Sequence, residues 1–155
     1  MWQEVLGANR FDILPNLIAL AIAYALAFPI GWNRERQDRS AGLRTFPLVA
    51  VAACGFIQAA EPLIAAEPGA MARIVEGVIT GMGFIGGGAI LQTKNSVKGT
   101  ATAASLWVTG AIGVAVGLGS YGIAVVLSAI TFVTLWALTD VKQRIVSDEV
   151  PPSSA

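Results

Sequence analysis

Charge in this chain is confined to short clusters separated by long stretches with none, and that segregation restricts the available folds more than any other feature. Between Gly99 and Thr139 there is no Asp, Glu, Lys or Arg. As a single helix the run would be about 60 Å long, twice the hydrocarbon thickness of a bilayer, so it must fold back on itself. The place to turn is GLGSYG, Gly117 to Gly122, where glycines and Ser120 interrupt apolar sequence. Two earlier stretches, Pro15 to Trp32 and Thr45 to Ala60, are also uncharged. The first would reach about 27 Å as a helix, close to what a membrane crossing needs.

Composition narrows the class further. Hydrophobic residues make up 55% of the chain and charged residues 13%, a balance typical of multi-span membrane proteins. Formal net charge is zero, so the basic footprint of a nucleic-acid-binding protein is absent. There is no His, and Cys54 is the single cysteine, which excludes imidazole catalysis, a zinc cluster and an intrachain disulfide. No cofactor or metal site is expected. The N-terminus, MWQEVLGANRFD, lacks the basic region and apolar core of a cleavable signal, so the first span is expected to act as its own insertion signal.

The expectation is an all-α polytopic membrane protein with five transmembrane helices, at about residues 15–32, 45–60, 73–92, 99–117 and 122–139. They form one transmembrane domain, 1–139, followed by a short cytoplasmic tail, 140–155, read as a frayed helix and then disorder. Pro15 and Pro47 suit helix starts, Trp32 suits an interfacial belt, and Pro29 is placed to kink the end of span one. Orientation follows from the basic residues of the connections. Arg34, Arg36, Arg39 and Arg44 follow span one, Lys94 and Lys98 follow span three, and Lys142 and Arg144 follow span five. The connections after spans two and four have none, so the positive-inside rule places the N-terminus outside and the C-terminus in the cytoplasm.

Span three, RIVEGVITGMGFIGGGAIL, carries Gly77, Gly81, Gly83, Gly86, Gly87 and Gly88. Gly81, Gly83 and Gly86 spell G-x-G-x-x-G, but the glycines lie inside an apolar span with no acid about twenty residues on, so dinucleotide binding is rejected. Helices in lipid associate through close backbone approach at small residues, and Gly77/Gly81 and Gly83/Gly87 have G-x-x-x-G spacing. This span is therefore expected to be the central packing helix, so that Leu at Gly83 or Gly87 would open the bundle. Gly99, Gly113 and Gly117 are further packing candidates.

Few residues have the chemistry for more than packing. Glu76 is the only acid within a predicted span, and charges there are costly enough to suggest function. The plainer reading is a surface pair with Arg73, three residues earlier, both reaching for the interface. The loop holding Arg34, Glu35, Arg44 and Thr45 is suited to phosphate, anionic lipid headgroups or an acidic partner, or simply sets topology through arginines paired with Glu35 and Asp38. Span four has a semi-polar face of Thr100, Thr102, Ser105 and Thr109, whose hydroxyls bond to their own helix or across to a neighbour. Trp107, near mid-bilayer, is expected to fill a gap left by the glycines of span three. Gly42-x-x-Thr45 and Gly99-x-x-Thr102 open spans two and four alike, a hint of repeated helical hairpins.

With these pieces placed, RERQDRSAGLRT (Arg34 to Thr45), RIVEGVITGMGFIGGGAIL (Arg73 to Leu91) and VKGTATAASLWVTGAIGVAVGLGSY (Val97 to Tyr121) resemble, in order and spacing, the MgtC/SapB family of bacterial inner-membrane proteins. The resemblance implies a five-span domain in the inner (plasma) membrane and a role in growth or adaptation at low magnesium, in some members inside host phagocytes. It implies a regulator of other membrane machinery, including the proton-driven ATP synthase, rather than a pump or an enzyme. The family's longer members add a soluble cytoplasmic domain after span five; the short SapB-like form is expected here. Glu76 stands where the family usually has Gln. Partners are therefore expected to be membrane lipid, a membrane protein such as that synthase, and, from the glycine content, a second copy of the chain. The alternative is a transporter or channel for a divalent cation such as Mg2+ or another small solute, its path lined by Glu76 and the polar face of span four.

Overall fold

The computed structural model describes residues 13–37, 41–67, 69–93 and 96–149. Arg39, Lys94 and the ends of the chain, including the last residues of the expected tail, lie outside them. In chain order the elements are α1 (Ile13–Glu35), α2 (Thr45–Ala59), a short α3 (Glu61–Ala66), α4 (Ala70–Gly88), strands β1 (Leu91–Thr93) and β2 (Ser96–Lys98), α5 (Thr100–Gly117) and α6 (Tyr121–Glu149). Four helical segments are long and apolar enough to cross a membrane: Ile13–Glu35, Thr45–Leu63, Thr100–Gly117 and Tyr121–Leu138. At 19 residues α4 is of comparable length. Arg73, Glu76 and the glycines lower its mean hydropathy, which separates it from the other four.

Two details depart from an all-helical reading. The connection after α4 is an antiparallel hairpin in which Leu91 pairs with Lys98, Gln92 with Val97 and Thr93 with Ser96. The helix thus ends at Gly88 and not at residue 92, because Gly86, Gly87 and Gly88 in succession weaken its last turn. Residues 61–66, expected as loop, form α3 with Pro62 in its first turn.

The turn between α5 and α6 falls within Gly117 to Gly122, as the sequence suggests. Gly119 has φ 73°, the Ser120 N–H donates to Ala115 O at 2.8 Å and the Gly119 N–H donates to Val116 O at 2.9 Å. This is the Schellman closure, in which a left-handed glycine lets the last carbonyls of a helix find donors.

The packing centre is α5, not the glycine-rich α4. α5 touches α1, α2, α4 and α6, and it buries Thr102, Ser105, Leu106, Thr109, Gly110, Ile112, Gly113, Ala115 and Val116. Its contact with α2 is a backbone-to-backbone approach: a Cβ on Gly113 would run into Ala50 O and Ala53 Cβ, and one on Gly117 would lie 2.7 Å from Ile57 Cβ. Gly113 and Gly117 are one G-x-x-x-G pair, facing the small residues Ala50, Ala53 and Cys54. By contrast a Cβ on Gly77, Gly81, Gly83, Gly87 or Gly88 would meet nothing within 4 Å, and in that run only a Cβ on Gly86 would meet a neighbour, Ala103 O at 3.4 Å. Within one chain, then, the expectation that α4 nestles among its neighbours through its glycines is corrected. Its G-x-x-x-G spacing is a pattern without a facing backbone.

α1 packs through its own small-residue ladder, Ala19, Ala23, Ala27 and Gly31, spaced by four so that they share one face. A Cβ on Gly31 would lie 3.2 Å from Gly42 O and 3.3 Å from Phe46 Cβ, so the start of α2 packs close against the end of α1. The opposite face of α1 carries exposed Tyr24, Phe28 and Trp32 in successive ring contacts, with centroids 6.3 Å and 5.9 Å apart. α6 is tied to α1 by the Ser128 hydroxyl, which donates to Leu26 O at 2.7 Å. These contacts make α2 parallel to α5 and antiparallel to α1, and put Arg34, Arg44 and Lys98 at one end of the bundle. Glu61, Glu67 and Arg73 lie at the other.

Gly113→Ala should destabilise the fold by about 1–3 kcal/mol, as overpacking of a close contact does. Gly83→Ala and Gly87→Ala should be neutral or stabilising by up to about 1 kcal/mol through helix propensity. Thermal unfolding in detergent distinguishes the outcomes, and a loss at Gly83 equal to that at Gly113 would contradict the assignment of α5 as the centre. Gly119→Ala should cost about 1–2 kcal/mol in the same assay, since alanine must adopt the left-handed region there.

Candidate functional site

The densest arrangement of polar side chains lies where α1 ends and α2 begins. Gly31 has no side chain to hold the two helices apart, so the turn folds down onto the bundle and Ala41, Gly42 and Phe46 are buried. Arg34, in the last turn of α1, is only 3% exposed. Glu35 turns the other way: its carboxylate accepts from the Leu43 N–H at 3.0 Å and fills the space a side chain at Gly42 would need. A carboxylate close to the N-terminal end of α2 is also favoured by the positive end of the helix dipole. Glu35 thus ties the turn that precedes α2 to the end of α1, a specific use that loop composition alone does not reveal. Gln37 Nε2 donates to Asn33 Oδ1 at 3.1 Å and stiffens the same turn.

Arg44, one residue before α2, is exposed, and with Thr45 it stands at the end of a groove of about 810 Å³ between α2 and α4. Val49, Ala53 and Met82 form its buried floor, and Leu48, Phe56 and Ile85 its exposed rims. Gly77 and Gly81 also line it. The groove exists because α2 and α4 each pack on α5 while touching one another only lightly.

Arg73 pairs with Glu67, not with Glu76, and both members of the pair are largely exposed. Residue 67 lies just before the helix that carries Arg73, so the pair ties the connection from α3 to the first turns of α4. Glu76 is exposed and lines neither groove. At about 100° per residue it is on the side of α4 opposite Ile74, Gly77, Val78 and Gly81.

The polar face of α5 points elsewhere. Thr102, Ser105 and Thr109 are buried, the Ser105 hydroxyl donating to Thr102 O at 2.9 Å and the Thr109 hydroxyl to Ser105 O at 2.8 Å. Of the two readings open from sequence, bonding within the helix is therefore the one seen for Ser105 and Thr109. Glu76 and these hydroxyls do not converge on a common path. Trp107 is 49% exposed and does not fill a gap left by the glycines. It lines a smaller groove of about 260 Å³ with Val75, Ile79 and Met82 of α4 and Ile123 and Leu127 of α6. Among the described residues, no group of three or more His, Cys, Asp or Glu side chains could hold a metal ion.

Sequence reasoning overlooked Gly31 and Ser128, and read Gly42 only as the start of a repeated hairpin pattern. Gly31 and Gly42 belong to a four-residue ladder and a turn whose meaning depends on which helix lies opposite. Ser128 carried no signal beyond being a hydroxyl in an apolar helix.

Comparison with known proteins adds identity to this geometry. The MgtC family profile matches residues 20–144. Protein SrpB of Synechococcus elongatus is 40% identical over 145 residues, covering 86% of this chain and 80% of its own. Protein MgtC of Salmonella choleraesuis is 35% identical over 146 residues, covering 94% of this chain and 61% of its own. A protein of Escherichia coli named "Putative magnesium transporter YhiD" is 33% identical over 128 residues, covering 77% of this chain and 58% of its own. The chain thus spans about three fifths of the MgtC and YhiD relatives it matches. No solved structure matches it significantly. With a profile match over most of its length and apolar helices of membrane-crossing size, the chain is a membrane protein that belongs to the MgtC family.

Proposed function

We propose that this protein is a non-enzymatic integral protein of the bacterial inner membrane that regulates partner membrane machinery in response to magnesium supply. The observation that carries this reading is the failure of its intramembrane polar groups to line one path. Ser105 and Thr109 bond to carbonyls of their own helix, and Glu76 faces outward on α4. A solute route needs such groups to face a shared cavity. Both grooves instead open sideways and are walled by apolar residues. The exposed apolar surface outside the α2–α4 groove, such as Tyr24, Phe28 and Trp32 of α1, suits contact with other membrane helices, and a proton-driven ATP synthase is a partner of the right kind.

In this reading α4 is a fifth crossing, with the N-terminus outside and the C-terminus in the cytoplasm. The basic side chains of Arg34, Arg44 and Lys98 gather at one end of the bundle, which supports that orientation. Among the described residues the basic side chain at the other end is Arg73, and it is already paired with Glu67. The magnesium link draws on the name given to the Escherichia coli relative, which is also what favours the second reading, a transporter or channel for Mg2+ or another small solute.

Liposomes containing the purified protein and a magnesium-sensitive dye separate the two readings. A regulator gives no flux above empty liposomes and copurifies from native membranes with a multi-subunit partner; flux that Glu76→Gln reduces would establish the transporter instead. For topology, single cysteines at Glu61 and Lys94 in a Cys54→Ala background should label from opposite compartments. Labelling from the same side would remove α4 from the membrane-crossing set.

A further inference from the structure

We propose that the groove between α2 and α4 binds an anionic membrane phospholipid, with its phosphate on Arg44 and its acyl chains along the groove. The volume, about 810 Å³, lies within the roughly 300–1,000 Å³ of clefts that bind small ligands. The placement of polarity selects the occupant. Of the lining residues only Arg44 and Thr45 are polar, and both lie at the same end, where α2 begins. From there the walls are apolar through Leu48, Phe56 and Leu63 on one side and Ile85 and Ile74 on the other. One cationic end and a long apolar trough match a phospholipid. Inorganic phosphate would satisfy the guanidinium but leave the trough unfilled.

The trough is also cut to receive a chain. Gly77 and Gly81 lie on its wall, and a Cβ at either would meet nothing within 4 Å, so these glycines widen the groove and do not seat a neighbouring helix of this chain. Its floor residues Val49, Ala53 and Met82 are buried, which gives the groove depth. No carboxylate lines it to oppose an anion: Glu35, close by in sequence, is held on the Leu43 N–H and is not among the lining residues. Basic sites between helices at the cytoplasmic surface are a recurrent way of holding anionic headgroups. A transmembrane helix of a partner could lie in the same trough, but an apolar helix has no use for a guanidinium at one end, and the charge decides for the lipid.

The inference rests on the membrane placement proposed above, not on the regulatory role. The full chain is reconstituted in phosphatidylcholine vesicles containing a minor fraction of phosphatidylglycerol, checked for insertion by cysteine labelling, extracted gently and analysed by native mass spectrometry. The expected result is retention of phosphatidylglycerol over phosphatidylcholine by about fivefold, the weight of one basic side chain at a membrane surface. Arg44→Gln should abolish the preference and Arg44→Lys should keep most of it. Gly81→Leu should reduce retention of both lipids, and Arg36→Gln, at an exposed arginine outside the groove, should change nothing. If Arg44→Gln fails to insert, the wild-type preference and the Arg44→Lys result still decide. Equal retention of the two lipids by correctly inserted wild type, equal losses at Arg36 and Arg44, or a groove occupied by a second copy or another polypeptide would each overturn the lipid site while leaving the fold in place. Failure of the wild type to insert would overturn the membrane placement itself.

Discussion

The contact on which the rest of the structure depends is the approach of α5 to α2 at Gly113 and Gly117. In lipid there is little hydrophobic gain from bringing two helices together, so association relies on dispersion contacts and weak polar interactions that require short distances. Removing the side chain at Gly113 and Gly117 and keeping it small at Ala50, Ala53 and Cys54 allows those distances. With α2 and α5 side by side and parallel, α1 fits against both through its alanine ladder, and α6 closes the far side with the Ser128 hydroxyl on Leu26 O. Ser128 reaches across to another helix, whereas Ser105 and Thr109 bond to carbonyls of the helix that carries them.

That arrangement explains the position of the grooves. α4 is held by α5 at Met82, which meets Gly110, and by the approach of Gly86 to Ala103. It is not held by α2, and the space between them stays open. Gly99, at φ 91°, fixes the far end of α4: only a residue without a side chain can lie against Ala89 O where the hairpin returns to α5. The hairpin therefore anchors α4 at one end while leaving its outer face uncovered. The turn between α1 and α2 does the reverse. It is drawn onto the bundle by Gly31 and tied by the Glu35 carboxylate on the Leu43 N–H, and it displays Arg44 at the rim of the open groove.

Much of this was legible from charge and glycine alone. The uncharged runs located the membrane-length segments of α1, α2, α5 and α6 to within a few residues, although α6 itself continues to Glu149, since a bilayer admits long apolar helices and little else. The turn at Gly119 was readable because left-handed backbone favours glycine. The part that misled was also glycine. Spacing of four identifies a flat strip on a helix, but the strip on α4 and the strip on α5 look alike in sequence, and only one has a backbone opposite it. Arg73 shows the same limit: its partner was sought three residues ahead at Glu76, within the helix, and was found behind it at Glu67.

The sequence by itself determined the solvent, the location of four long apolar segments and the clustering of basic side chains, because each follows from the cost of placing charge or unpaired backbone in hydrocarbon. Family membership is likewise carried by linear motifs. What only the tertiary structure decided is which helix is central, which glycines touch, and that Glu76 and the hydroxyls of α5 face apart. Those are relations between residues distant along the chain. They are set by how three-dimensional surfaces fit, and a helix records in its sequence the shape of its own face but not which neighbour that face will meet.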